Sequence, residues 1–181
     1  LAGLPGEAAP WRRQYDLDHA MTVEGVPSPL RYTGSGGLGV VPTGVGKTAA
    51  ATTTAALCAS EALDLDGAPV LSGGVGGGPP ALPIWSIVIA DSIVDWDDKC
   101  RFDPEPDAED PGDALALNPY TDDAGVFHPD DELVASARSV ARGVELQSAN
   151  DLDPSVVVGT NLCGDELWHG RRLAEEASWL A

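Results

Sequence analysis

Residues 70–94 read VLSGGVGGGPPALPIWSIVIADSIV. Within this stretch, Ile84–Val94 (IWSIVIADSIV) is β-branched and mostly apolar, as a central strand covered on both faces would be. Before it, Ser72–Pro80 (SGGVGGGPP) is a glycine turn, and Val70–Leu71 reads as a short buried strand leading into that turn. The pattern repeats on either side. Upstream, Gly37–Pro42 (GLGVVP) reads as a short strand, Thr43–Gly46 as a tight turn and Lys47–Ala62 (KTAAATTTAALCASEA) as a helix of small residues. Downstream, Asp130 caps a helix whose apolar stripe is Leu133, Val134, Ala137, Val140, Ala141 and Val144. Ser155–Thr160 (SVVVGT) reads as a buried strand, and Asp165 opens a last helix carrying Leu167, Trp168, Leu173, Ala177 and Leu180. Strand, glycine turn, helix, strand predicts an α/β fold: a mainly parallel sheet in three layers, with helices on both faces.

Two segments stand outside this alternation. Residues 1–30 are expected to be loop-like, because Pro5, Pro10, Pro27 and Pro29 break helices. Residues 95–125 are acidic and proline-rich without periodicity, and read as a solvated loop or insertion. The length of 181 residues suits a single domain spanning 1–181. The longest apolar run, near Ile84–Ala90, is too short to cross a bilayer, so no membrane insertion is expected. The first residue is Leu1, so either the true N-terminus is missing or it was processed away; no charged-then-apolar leader is visible, and the chain looks like a fragment. A cytoplasmic place is favoured, with secretion left open.

Twenty-nine acidic residues face ten basic ones, for a net charge of −19. Such a charge repels phosphate backbones and anionic lipid, so nucleic acid is not an expected partner. The acids are spread along most of the chain. Either they make a hydrated surface suited to concentrated salt, or they serve a basic partner or metal. Three widely spaced cysteines, Cys58, Cys100 and Cys163, fit neither a disulfide scaffold nor a zinc site.

The motifs narrow the chemistry. Gly44-Val45-Gly46-Lys47-Thr48 is like the end of a phosphate-binding P-loop, but the glycine required five positions before Gly46 is Val41. Gly73–Gly78 is not the dinucleotide fingerprint. It reads either as a flexible loop or as a backbone-amide nest for a ribose, base or anion. The acids from Asp95 to Asp113 miss the calcium-loop pattern: counting from Asp103 the sixth residue is Ala108, and from Asp95 it is Cys100. No metal site is predicted. Of the histidines, His19, His128 and His169, only His169 lies near a candidate turn, Cys163–Asp165, and is a weak catalytic candidate.

Several of these stretches together resemble the purine nucleoside permease family of the nucleoside phosphorylase-like superfamily. Gly44-Val45-Gly46-Lys47 with Ala49-Ala50 is similar to its first glycine turn and small-residue helix. Ser72–Gly77 and then Ser86–Asp91 resemble its TGSAGG turn and GDIVVSD strand. Cys163–Gly170 (CGDELWHG) resembles its SGDxFWHG stretch, and Pro10-Trp11, Tyr15-Asp16-Leu17 and Val26-Pro27 fit the same branch. The resemblance implies a purine nucleoside ligand and a nucleoside phosphorylase-like fold. It places backbone contacts at Gly44, Gly46, Gly73, Gly74, Val75 and Gly76, further contacts at Cys163 and Asp165, and an apolar wall for the purine at Leu167 and Trp168.

The superfamily cleaves N-glycosidic bonds with phosphate or water, so phosphate is a possible co-substrate and no other cofactor is implied. Gly74 replaces the serine that contacts phosphate in the enzymes. The catalytic aspartate and ribose-binding glutamates of the superfamily fall beyond Ala181. Binding, cleavage and an inactive remnant all remain open at this point, as does a homo-oligomer.

Overall fold

A computed structural model describes residues 1–79, 81–97, 99–101, 115–117, 125–147 and 152–165. It is a mixed α/β protein that divides into two compact units, Leu1–Gly76 and Gly77–Ala181.

The first unit contains helix α1 (Pro5–Gln14), strands β1 (His19–Met21), β2 (Leu30–Tyr32) and β3 (Gly39–Val40), and helix α2 (Lys47–Cys58). The three strands form an antiparallel sheet in the order β1-β2-β3. Helix α1 corrects the expectation of a loop. Pro5 sits in its first turn, where proline's fixed φ and missing N–H cost nothing. Pro10 lies inside the helix and removes one internal hydrogen bond, which a ten-residue helix with both ends anchored tolerates. Its start is held by Glu7, whose Oε2 accepts the Leu4 N–H at 2.9 Å. Its end carries Arg12 and Arg13, cations suited to the negative pole of the helix.

Helix α2 forms where expected but stops at Cys58, four residues short of the predicted Ala62. Ser60 ends it by local competition: its Oγ accepts the Ala62 N–H at 3.4 Å, while its own N–H goes to the Leu57 carbonyl at 3.2 Å. The helix buries Thr53 and Leu57. Leu57 joins Val23, Leu30 and Val41 in one apolar cluster, and Ala2, Ala8, Leu17 and Val40 form a second.

Parallel pairing in this unit is confined to a short seam. Ala2 bridges Pro42 on one side and Gly73 on the other, both in parallel sense. The Ala2 N–H donates to the Val41 carbonyl at 3.2 Å, and the Thr43 and Gly73 N–H groups return bonds to Ala2 and Leu1 at 2.7 and 2.9 Å. Val70 and Leu71, expected as a buried strand, form none and are 57% and 61% exposed. The segment reaches the seam through the Leu71 carbonyl, which accepts the Leu1 amino group at 2.6 Å, and through Gly73.

Thr53 is 1% exposed, and its Oγ1 donates to the Thr43 carbonyl at 3.1 Å, tying α2 to the seam. Thr53→Val keeps the shape and removes the donor. The expected loss is about 1–2 kcal/mol of unfolding free energy, read from a urea midpoint.

The second unit contains β4 (Ile87–Asp95), β5 (Lys99–Arg101), β6 (Leu115–Leu117), β7 (Val126–Phe127), α3 (Asp131–Ala141) and β8 (Val156–Cys163). Strand β4 is central, antiparallel to β7 and parallel to β8. Its two faces are less covered than expected among the described residues, with Ile87 and Val88 44% and 45% exposed. Within 95–125, β5 and β6 make a small antiparallel ladder. The rest of that stretch, apart from Asp95–Asp97 and Gly125, lies outside the described residues. Helix α3 starts as the sequence predicts: Asp130 Oδ1 accepts the Leu133 N–H at 2.9 Å. Of its apolar stripe, Val134, Ala137 and Ala141 are half-buried, while Val140 is 72% exposed.

Candidate functional site

The seam in the first unit decides where its glycine turns lie. Three segments run side by side in one direction: Leu1–Ala2, Val41–Thr43 and Leu71–Gly73. Each leaves the seam through glycine, by Gly3, by Gly44–Gly46 and by Gly73–Gly76. Their turns therefore collect at the carboxyl end of the parallel segments, and two of them feed the starts of α1 and α2. In α/β proteins this end is where ligands meet backbone amides.

The turns differ in what they need from glycine. Gly44 has φ +89°, and a Cβ there would stand 3.0 Å from the Ala49 Cβ. Gly46, at the cap of α2, has φ 92° and ψ 158°, a conformation open essentially to glycine alone. Gly73, Gly74 and Gly76 do not use positive φ. A Cβ on Gly73 or Gly76 would meet open space, whereas one on Gly74 would stand 3.2 Å from the Glu7 carboxylate.

Glu7 was missed by sequence reasoning, and it occupies the middle of this region. Its Oε1 accepts the Val75 N–H at 2.9 Å and its Oε2 accepts the Leu4 N–H at 2.9 Å. Gly3 and Gly74 flank it, each without the Cβ that would crowd the carboxylate. Of the Gly73–Gly78 turn, expected as either a flexible loop or an amide nest, the Val75 N–H is taken by the chain's own Glu7 carboxylate. The signal was in the sequence: Pro5 followed by Glu7 is a helix start with an acid in the first turn.

The Val75 hydrogen bond, with those from Leu4 and Gly3, holds the Glu7 carboxyl below its ordinary value of 4.5, against a smaller opposing effect of partial burial. A depressed folded-state value means stability that is present above the unfolded value and lost as pH falls through the folded one. Glu7→Gln leaves an amide oxygen for one donor and turns an NH2 on the other. It is expected to cost about 1–2 kcal/mol at pH 7. The difference from the parent should shrink on titration below about pH 4, checked by urea unfolding across pH.

The second unit has its own turn. Strand β8 ends at Cys163 beside the end of β4, and the Trp96 N–H donates to the Cys163 carbonyl at 2.8 Å. The Asp165 N–H donates to Asp97 Oδ2 at 2.7 Å, so Asp97 braces the Cys163–Asp165 turn. Trp96, between Asp95 and Asp97 in sequence, is 3% exposed. Asn161 Nδ2 lies 3.3 Å from Cys163 Sγ. Midway along β4 the register to β8 shifts between Ala90 and Ser92, leaving Asp91 as an extra residue in the ladder. Ser92 Oγ and Thr160 Oγ1 are 2.8 Å apart across the two strands, and His128 Nδ1 is 3.3 Å from the Asp91 carbonyl.

The sequence candidates therefore fall into two groups. Gly44, Gly46, Gly73, Gly74, Val75 and Gly76 share one end of the first unit's seam. Cys163 and Asp165 lie at the end of the parallel pair in the second. Leu167, Trp168 and His169 lie outside the described residues. Among the described residues no group of three His, Cys, Asp or Glu side chains could hold a metal ion, and no helix is long and apolar enough to cross a membrane.

A family model described as "Purine nucleoside permease (NUP)" matches residues 2–181. No curated protein matches the chain.

Proposed function

The chain belongs to the purine nucleoside permease family, and on that premise we propose that it binds purine nucleosides, as part of their uptake or metabolism. The observation that carries the reading is the family match across residues 2–181, over turns that gather at the carboxyl end of parallel segments. In this reading the ribose end of the ligand meets the Gly44–Gly46 turn. A three-layer, nucleoside phosphorylase-like arrangement of a single domain belongs to the same proposal, as does self-association.

Glu7 favours binding over phosphorolysis. A carboxylate already seated on the Val75 N–H, beside Gly74, repels a phosphate dianion from it. Cleavage of the N-glycosidic bond is the second reading. The test is incubation with inosine, adenosine or guanosine, with and without phosphate, followed by chromatography and equilibrium dialysis. Retained, intact nucleoside is the expected result. Release of free base would replace binding by catalysis, as a phosphorylase if it requires phosphate and as a hydrolase if it does not.

A further inference from the structure

A shallow cleft of about 330 Å³ lies at the opposite end of α1 from Glu7, lined by Ala9, Arg12, Arg13, Leu17, Asp18 and Arg31. Its charge is at odds with the rest of the molecule. Residues 1–76 hold seven acids and four bases, Arg12, Arg13, Arg31 and Lys47, while the remainder holds 22 acids and six bases. Three of the four positive charges of this unit thus surround one cleft.

None of the three guanidinium groups makes an ion pair or hydrogen bond among the described residues, although 29 acids were available to the chain. Arg12 and Arg13 are brought there by the last turn of α1, and Arg31 by the middle of β2, whose register sets it between Ala20 and Val40. Leu17 is 4% exposed and forms an apolar floor. The position of Arg12 and Arg13 at a helix C-terminus accounts for two of the charges. It does not account for Arg31, which arrives from a separate strand.

We propose that this cleft binds the phosphate group of a small phosphorylated molecule. Three arginines and Asp18 leave the cleft with a formal charge of +2. A phosphate monoester carries about −1.5 to −2 near neutral pH. Guanidinium forks match phosphate oxygens in pairs, which an ammonium cannot do. The volume suits a small ligand. The site is separate from the glycine turns and does not depend on nucleoside binding there.

The experiment is thermal unfolding of the whole chain against increasing inorganic phosphate or ribose 5-phosphate, with chloride adjusted to hold ionic strength constant. A saturable rise in Tm is expected. Arg31→Ala and Arg12→Ala should each weaken the apparent affinity about tenfold. Arg31→Lys, which retains the charge and loses the fork, should fall between, and Arg142→Ala, the same charge change in the other unit, should leave it unaltered. Far-UV circular dichroism checks that each variant is folded. A response to both probes identifies free phosphate as sufficient, and a response to the ester alone identifies a phosphorylated small molecule. The proposal is overturned if neither probe gives a saturable shift, or if the shift survives in folded Arg31→Ala and Arg12→Ala.

Discussion

Leu57→Ala is expected to remove about 2–4 kcal/mol from the stability of the Leu1–Gly76 unit. Leu57 is 7% exposed and packs with Val23, Leu30 and Val41. It is the buried anchor by which α2 holds the strands below it, together with Thr53 one turn earlier. Truncation loses the transfer energy of the side chain and leaves a cavity, because the surrounding positions come from β2, from Val41 just after β3 and from the loop at Val23, and cannot all close in. The core here is small, so a loss of this size is a large share of the whole. Leu65→Ala is the contrast: Leu65 is 38% exposed, and the same truncation should cost well under half as much. Urea unfolding of the two variants checks the ratio.

Gly46→Ala carries the second large effect. At φ 92° and ψ 158° an alanine Cβ collides with its own backbone. The expected loss is about 2–3 kcal/mol, with the first turn of α2 displaced. Because the Gly44–Gly46 turn is where the proposed ligand approaches the backbone, nucleoside affinity should fall along with stability. Gly76→Ala separates the two ideas of why glycine is present. Gly76 has no positive φ and open space around it, so the change should stay within about 0.5 kcal/mol. A comparable loss at both positions would show that the backbone conformations are not as described.

Much of the fold could be read from the sequence because local signals and tertiary structure agreed. Ile84–Val94 announced a central strand by its β-branched run, and β4 sits between two neighbours. Asp130 announced a cap and serves as one. The failures have physical causes. Pro5 and Pro10 were weighed as breakers, yet a proline in a first turn favours a helix, and the anchoring by Glu7 offsets the bond lost at Pro10. Val70–Leu71 is apolar but too short to form a strand, so the segment joins the seam only from the Leu71 carbonyl onward.

The site divides along the same line. Positive φ at Gly44 and Gly46 follows from the tight turn before a helix, and sequence could find it. The reason for Gly74 lies in a carboxylate from 67 residues away, as its Val75 neighbour is bonded to Glu7 across 68 positions. No local pattern carries that information. The arginine cleft was hidden for the same reason, since Arg31 reaches Arg12 and Arg13 only through the pairing of β2.

The central claim is purine nucleoside binding, and its most direct test is a fluorescence titration of the intact chain. The five tryptophans report on the protein, and Trp168 is the one that the family resemblance sets against the purine. Saturable quenching by inosine, adenosine or guanosine, absent with uridine and lost in a folded Gly46→Ala variant, is the predicted result. A folded chain whose emission does not respond to any purine nucleoside, and which retains none on dialysis, would contradict the account.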